Sequence, residues 1–411
     1  MSKILIKNIK GLVQCGENLP KIRKGDEMKE LPILENAFLA IEDGVIVSYG
    51  KMKECSGVTD WRDLEVIDAE GKFVLPAFCD SHTHTVFAKS REEEFVHRIN
   101  GLSYEDIASN GGGILNSAAR LQEMSEDELF NSSMKRIDQL KSYGTGALEI
   151  KSGYGLTIES ELKMLRVIKR LKAESDIIIK STFLGAHAYP LKFKENHKGY
   201  IDQIINEMLP KINQEGLADY IDVFCERNYF SVDDMSQILD AGINYGLRPK
   251  VHVNQFSSIG GVRKAVEKNA LSVDHMEEIS NDDICALQGT STIVTILPSC
   301  SYFLSIPYSN ARRLIQNDIP IALASDFNPG STPSGNLSFV WSLACIKMKM
   351  TPEEALNALT LNAAYAMDLS DTHGTISIGK KTPIIITKKI PSLAYIPYSF
   401  GEQNIERLIV K

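Results

Sequence analysis

The sequence predicts an α/β protein, a (β/α)8 TIM-like barrel carrying a small composite β-sandwich domain made from both ends of the chain. Three observations lead there. Eight short, mostly apolar runs alternate with amphipathic helical stretches through the middle of the chain, the pattern of βαβ units around a buried parallel sheet. The two ends instead carry short β-prone runs separated by turn residues. Histidines follow several of the eight runs, at the strand ends where barrels of this kind keep their chemistry.

Taken in order, Ile4-Leu-Ile, Ala37-Phe-Leu-Ala-Ile and Glu65-Val-Ile-Asp are β-prone, and Glu42-Asp43-Gly44 marks a hairpin turn. The eight central runs are Phe73 to Cys79, Gly146 to Ile150, Ile177 to Phe183, Tyr220 to Cys225, Pro249 to Val253, Leu271 to Val273, Thr292 to Leu297 and Pro320 to Ala324. Amphipathic stretches such as Ser160 to Lys172 lie between them. Near the C-terminus, the segments beginning at Gly374 and Thr382 return to β-like patterning. Residues 1–70 and 371–411 are thus expected to form the small domain, and 71–370 the barrel. An open doubly wound sheet competes, but no Gly-x-Gly-x-x-Gly follows the first run.

Composition narrows the function. With 43% hydrophobic and 24% charged residues the chain is globular, and a net charge of -8 argues against nucleic acid or an anionic membrane as partner. No apolar run approaches the ~20 residues of a membrane span. The start, Met1-Ser-Lys-Ile, has no secretory core. Seven scattered cysteines form neither a disulfide framework nor a thiolate cluster. A cytoplasmic protein is expected, and a symmetric homodimer is its default assembly.

His82-Thr83-His84 follows the first central run, and residues i and i+2 of a strand share a face. His187 follows the third run, His252 lies in the fifth, His275 follows the sixth and Asp326 the eighth. Alone, each has an ordinary reading as a hydrogen-bonded core residue or a helix cap. His97 and His373 fall elsewhere. Together, His82, His84, His252 and Asp326 are a coherent ligand set for one divalent metal with a position open for water, and the metal lowers that water's pKa. Asp326 can then pass a proton to the leaving group. His275 can polarise the substrate carbonyl.

These motifs resemble the amidohydrolase superfamily. So do Ser90-Arg-Glu-x-Glu-Phe, Gly111-Gly-Gly-Ile, Glu149-Ile-Lys-Ser-Gly-Tyr-Gly-Leu, Thr182-Phe-Leu-Gly-Ala-His-Ala and Ala324-Ser-Asp-Phe-Asn-Pro-Gly-Ser. The similarity extends over nearly the whole chain. It implies hydrolytic opening of 4-imidazolone-5-propanoate to N-formimidoyl-L-glutamate in histidine degradation. It further implies zinc or iron on His82, His84, His252 and Asp326, and substrate contacts from Arg91, Tyr154 and His187. Asn328, Gly330 and Ser331 would form another part of the pocket. Arg91 suits the propanoate carboxylate, which a guanidinium grips with two parallel hydrogen bonds.

Gln255 stands where the family often carries glutamate, so its role must be to orient substrate or water by hydrogen bonding, not to act as a base. One metal is expected, because the fourth run ends Phe224-Cys225-Glu226 without the bridging lysine of binuclear relatives. Zinc and iron are both open. Two other readings compete: an aminohydrolase acting on a purine, pyrimidine or triazine ring, and a catalytically dead scaffold. Gln255 and the Gly-Tyr-Gly loop count against the first, and the intact ligand set against the second.

Overall fold

The structure, a computed structural model, describes residues 2–55, 62–102, 112–381 and 383–410. Met1, Gly111 and Thr382, which figure in the sequence reading, lie outside the described residues. The N-terminal strands are β1 (Lys3–Val13), β2 (Ile33–Glu42), β3 (Val45–Lys51), β4 (Leu64–Asp68) and β5 (Phe73–Pro76). Asp43 and Gly44 take the left-handed conformation that turns β2 into β3, as the hairpin signal anticipated. Asn8, also left-handed, sits where the β1–β2 register slips between Ile6 and Ile9, a bulge that accommodates one extra residue.

The barrel strands are β6 (Phe78–Asp80), β7 (Thr145–Lys151), β8 (Ile178–Ala186), β9 (Tyr220–Cys225), β10 (Arg248–Val253), β11 (Ser272–His275), β12 (Ile293–Ile296) and β13 (Ile321–Leu323). All eight are parallel neighbours in chain order, with helices between them, so the expected barrel is present. At the C-terminal end β14 (Ile384–Thr387) and β15 (Ile405–Ile409) join the N-terminal strands in one seven-stranded sheet. Its order is β15-β14-β5-β1-β2-β3, with β4 beside β1. This sheet buries Ile6, Ile9, Leu12, Leu39 and Ile384 in a core of its own.

Two sequence expectations are corrected. The run Phe73 to Cys79 is not one barrel strand: β5 pairs with β1 and β14, and β6 pairs with β7. The run changes sheets at Ala77, whose N–H donates to the Pro383 carbonyl at 3.1 Å. Both halves are buried, so apolar character could not locate the break. A side chain at Gly146 would collide with Pro383 and Ala77, which is why the two sheets can approach there. The segment beginning at Gly374 forms only a single bridge, Cys15 to Ile376, not a strand.

No ladder joins β13 to β6. The seam is closed by Asp80, whose carboxylate accepts the Ser325 N–H at 3.0 Å and hydroxyl at 2.6 Å. Beyond the strands, Asp326 N–H donates to the His82 carbonyl at 3.0 Å and His84 N–H to the Phe327 carbonyl at 2.9 Å. Asp80 is fully buried, and burial pushes its pKa up to about 7 against the hydrogen bonds from Ser325. Replacing Asp80 by Ala leaves two buried donors unmet. It is expected to destabilise the protein by roughly 2 kcal/mol or more, read as a lower midpoint in chemical denaturation.

Candidate active site

The seam places His82-Thr83-His84 at the barrel mouth. Thr83 uses its backbone and hydroxyl to continue the sheet: its carbonyl accepts Lys151 N–H at 2.8 Å, and its Oγ1 donates to the Glu149 carbonyl at 2.6 Å. With Thr83 turned to the sheet, both flanking imidazoles face the interior. The His82 ring lies 5.5 Å from that of His84 and 4.4 Å from that of His252. These three residues bring ligand atoms within 4.8 Å of one another, all buried. His82 Nε2 and His84 Nε2 lie 3.6 and 3.7 Å from Asp326 Oδ1. The structure thus brings together all four predicted ligands.

Whether these residues fit a metal is answered by their unmet atoms. His82 Nε2 and His252 Nε2 are buried and have no hydrogen-bond partner among the described residues, which is costly unless something else accepts their lone pairs. Burial holds His82, His84 and His252 well below the ordinary histidine range, with neighbouring positive groups adding to the effect. Neutral imidazole is the form that binds a metal. The set fits a divalent ion.

Behind the imidazoles lies a fully buried ionic network that the sequence reading missed. His82 Nδ1 is 2.6 Å from Asp274 Oδ2, and His252 Nδ1 is 2.9 Å from Asp222 Oδ2, close but outside hydrogen-bond geometry. Lys151 Nζ reaches Glu149 at 2.7 Å, Asp222 at 2.8 Å and Asp274 at 3.4 Å. Lys250 pairs with Glu149 and donates to the Ser81 and Ala366 carbonyls. Burial opposes the charge on Lys151, but Asp222, Glu149 and Asp274 outweigh it and hold the ammonium above the usual lysine range. Burial likewise opposes ionisation of Asp274, yet Lys151 and Lys250 keep that carboxyl below its usual value. The formal charges are three carboxylates against two ammoniums, and Asp326 adds a fourth carboxylate, so a divalent cation would balance the set.

Asp326 is held from every side. Its backbone is left-handed at φ 57°, and Oδ2 accepts the Ser331 hydroxyl at 3.1 Å. Asn328 spends its amide on the same loop: Nδ2 donates to the Asp326 carbonyl and to Ser331 Oγ, while Oδ1 accepts the Gly330 and Ser331 N–H groups. Burial raises the Asp326 pKa to about 6, against the opposing pull of His275. A carboxyl in that range can take up and release a proton near neutrality.

The other predicted residues surround this centre. His275 is left-handed at φ 84°, with Nδ1 3.4 Å from Glu277 Oε1. Burial works against its charge, but Glu277 prevails and raises the pKa, favouring a ring that donates. His187 stacks on His84 at 5.2 Å, and its Nδ1 donates to the Gly153 carbonyl at 3.2 Å, leaving Nε2 as an acceptor. Burial lowers its pKa to about 4. The Tyr154 ring is 5.7 Å from His84 and 5.6 Å from His187. The Tyr154 loop is shaped by buried Glu161, which accepts N–H bonds from Gly153, Gly155 and Leu156. Gln255 Nε2 is 3.5 Å from Cys300 Sγ.

Arg91, whose ordinary reading is a solvated helix face, is instead nearly buried. It pairs with Glu94, which also accepts the Gly113 N–H at 3.0 Å. A side chain at Gly330 would collide with Arg91 Nη1, so the guanidinium passes directly against the Asp326 loop. Of the histidines left out, His373 is buried but bonded to Thr372 away from the mouth, and His197 stacks on Tyr189 at 3.7 Å.

The chain is similar to known proteins over nearly its whole length. The family model "Amidohydrolase family" matches residues 73–411. An imidazolonepropionase of Flavobacterium johnsoniae is 58% identical, over 99% of this chain and 98% of that protein. One from Thermoanaerobacter pseudethanolicus is 41% identical, over 99% and 96%. Among solved structures, E. coli guanine deaminase superposes with a TM-score of 0.73 at 13% identity, covering 100% of this chain and 98% of that one. An adenosine deaminase from Xanthomonas campestris with bound zinc gives 0.69 at 12%, covering 99% and 91%. These two structures show the fold alone.

Asp274 orients His82, so Asp274→Asn is expected to weaken metal affinity about 10–100-fold, measured by competition with a chromogenic chelator. Affinity equal to the parent's would mean that His82 needs no such partner.

Proposed function

The chain belongs to the amidohydrolase family and, within it, to the imidazolonepropionases, and from that premise we propose how its residues open 4-imidazolone-5-propanoate to N-formimidoyl-L-glutamate. It is a hydrolase of histidine degradation. The observation that carries the site assignment is the meeting, at one barrel mouth, of buried imidazole nitrogens that have no partner among the described residues with an arginine poised against the Asp326 loop.

One zinc or iron ion on His82, His84, His252 and Asp326 would supply Lewis acidity that makes water a competent nucleophile at neutral pH. Arg91 exchanges Glu94 for the substrate's propanoate, and Tyr154 adds a further donor. His187 accepts a ring N–H at Nε2, and Gln255 orients the ring with its amide. As water adds to the carbonyl carbon, His275 donates to the carbonyl oxygen, where negative charge collects. Asp326 takes the proton from the water and delivers it to the ring nitrogen as the carbon–nitrogen bond breaks. Ser331 keeps the Asp326 carboxylate turned toward this task, Asn328 fixes the loop, and Gly330 gives Arg91 its wall. Seven cysteines scattered without C-x-x-C spacing support a cytoplasmic setting, and a symmetric homodimer is the assembly we expect.

Metal-loaded protein is expected to consume 4-imidazolone-5-propanoate, followed as loss of the ring's ultraviolet absorbance; no turnover with metal bound would overturn the assignment. Arg91→Ala should raise KM by roughly 100-fold, from the loss of about 3 kcal/mol of charge-assisted hydrogen bonding, with metal content unchanged. Loss of metal in that variant would make Arg91 structural. Gly330→Ala should act in the same direction more weakly, through displacement of the guanidinium, and an unaltered KM would separate the two residues.

A further inference from the structure

A second cluster of ligand-type side chains lies beside the first. His275, Glu277 and Cys300 bring an imidazole nitrogen, a carboxylate oxygen and a thiol sulfur within 4.8 Å of one another, all buried. Imidazole, carboxylate and thiolate are the donors zinc prefers. Donors bonded to one tetrahedral ion lie roughly 3.3–3.8 Å apart, given bonds of about 2.0–2.3 Å. Closing from the observed spacing therefore needs a movement of about 1 Å, within reach of small side-chain rotations. Glu277 supplies the independent sign of a ligand: its Oε2 is buried and has no hydrogen-bond partner among the described residues. Its Oε1 has only long contacts, 3.4 Å to His275 Nδ1 and 3.4 Å to Ser301 Oγ. Cys300 connects the two clusters through contacts with Asp326 and Ser331 and a 3.5 Å approach of Gln255 Nε2.

We propose that His275, Glu277 and Cys300 form a second, inhibitory zinc-type site next to the catalytic one. Binding there releases the Cys300 thiol proton and ties His275 to the cation, so His275 no longer reaches the substrate carbonyl. The inhibition rests on the hydrolase reading above, whereas the binding does not. The two clusters differ in one chemical respect that an experiment can use. The catalytic set has no sulfur ligand, and the second has one.

Protein carrying one equivalent of cobalt(II) is titrated with more cobalt(II) while spectra and turnover are recorded. The first equivalent is expected to give ligand-field bands only, with full activity. The second should bring a thiolate-to-cobalt charge-transfer band in the near ultraviolet, with activity falling in parallel by about tenfold or more. Cys300→Ser should abolish the band and weaken inhibition at least about tenfold. Glu277→Gln, which retains the thiol, should weaken both and guards against a folding defect in the first variant. A band that survives Cys300→Ser belongs to another thiol and overturns the proposal, as does inhibition with an unchanged midpoint in both variants, or no second binding event. If the one-cobalt protein fails to turn over substrate, the hydrolase reading is at fault, and the band still decides the site.

Discussion

The ammonium of Lys151, fully buried among Glu149, Asp222 and Asp274, is the interaction on which the site depends. A lysine there is costly to desolvate, and three carboxylates must surround it to offset that cost. Two of the three face outward from the lysine to the Nδ1 atoms of His82 and His252. One cation thus fixes the carboxylates, the carboxylates fix the imidazoles, and the imidazoles leave their remaining nitrogens at the barrel mouth. Truncating Lys151 would strand Asp222 and Asp274 in the interior, with Glu149 left to Lys250, so the site and the centre of the barrel stand or fall together.

The same economy governs the barrel's closure. Where β6 and β13 fail to pair, the chain bonds Asp80 to Ser325 and the backbones of His82 and His84 to Asp326 and Phe327. The ligands from the first and last strands are therefore neighbours because they form the seam. Left-handed backbone at Asp326 and His275 is the local strain that aims both side chains inward, and such strain persists only where surrounding bonds determine it.

How much of this was legible in the sequence follows from what each feature exposes. Buried parallel strands read as apolar runs, so Tyr220 to Cys225 was found to the residue. The change of sheet at Ala77 was not, because both sides of it are equally apolar. Histidines at run ends stood out because each follows or ends an apolar run, the position where a barrel keeps its chemistry. The ionic network was missed because attention to strand ends passes over charges inside strands. Yet Glu149 and Lys151, Lys250 and His252, and Ser272 and Asp274 are each spaced by two, which on a buried strand means a shared inward face. Arg91 and Glu94 read as solvated because their spacing is that of a helix surface; only the tertiary position of the Asp326 loop makes that surface an interior one.

The composite sheet sets an order of events for synthesis. Strand β5 lies between β1 and β14, and β14 in turn carries β15, so one side of β5 has no partner until the residues around Ile384 have left the ribosome. Through most of translation the growing chain therefore presents an open edge that the barrel cannot cover. Pairings so distant in sequence form slowly, and an unpaired strand edge is where nascent chains adhere to one another. For this protein, the interval between making the barrel and making its last two strands is the period in which a chaperone matters most.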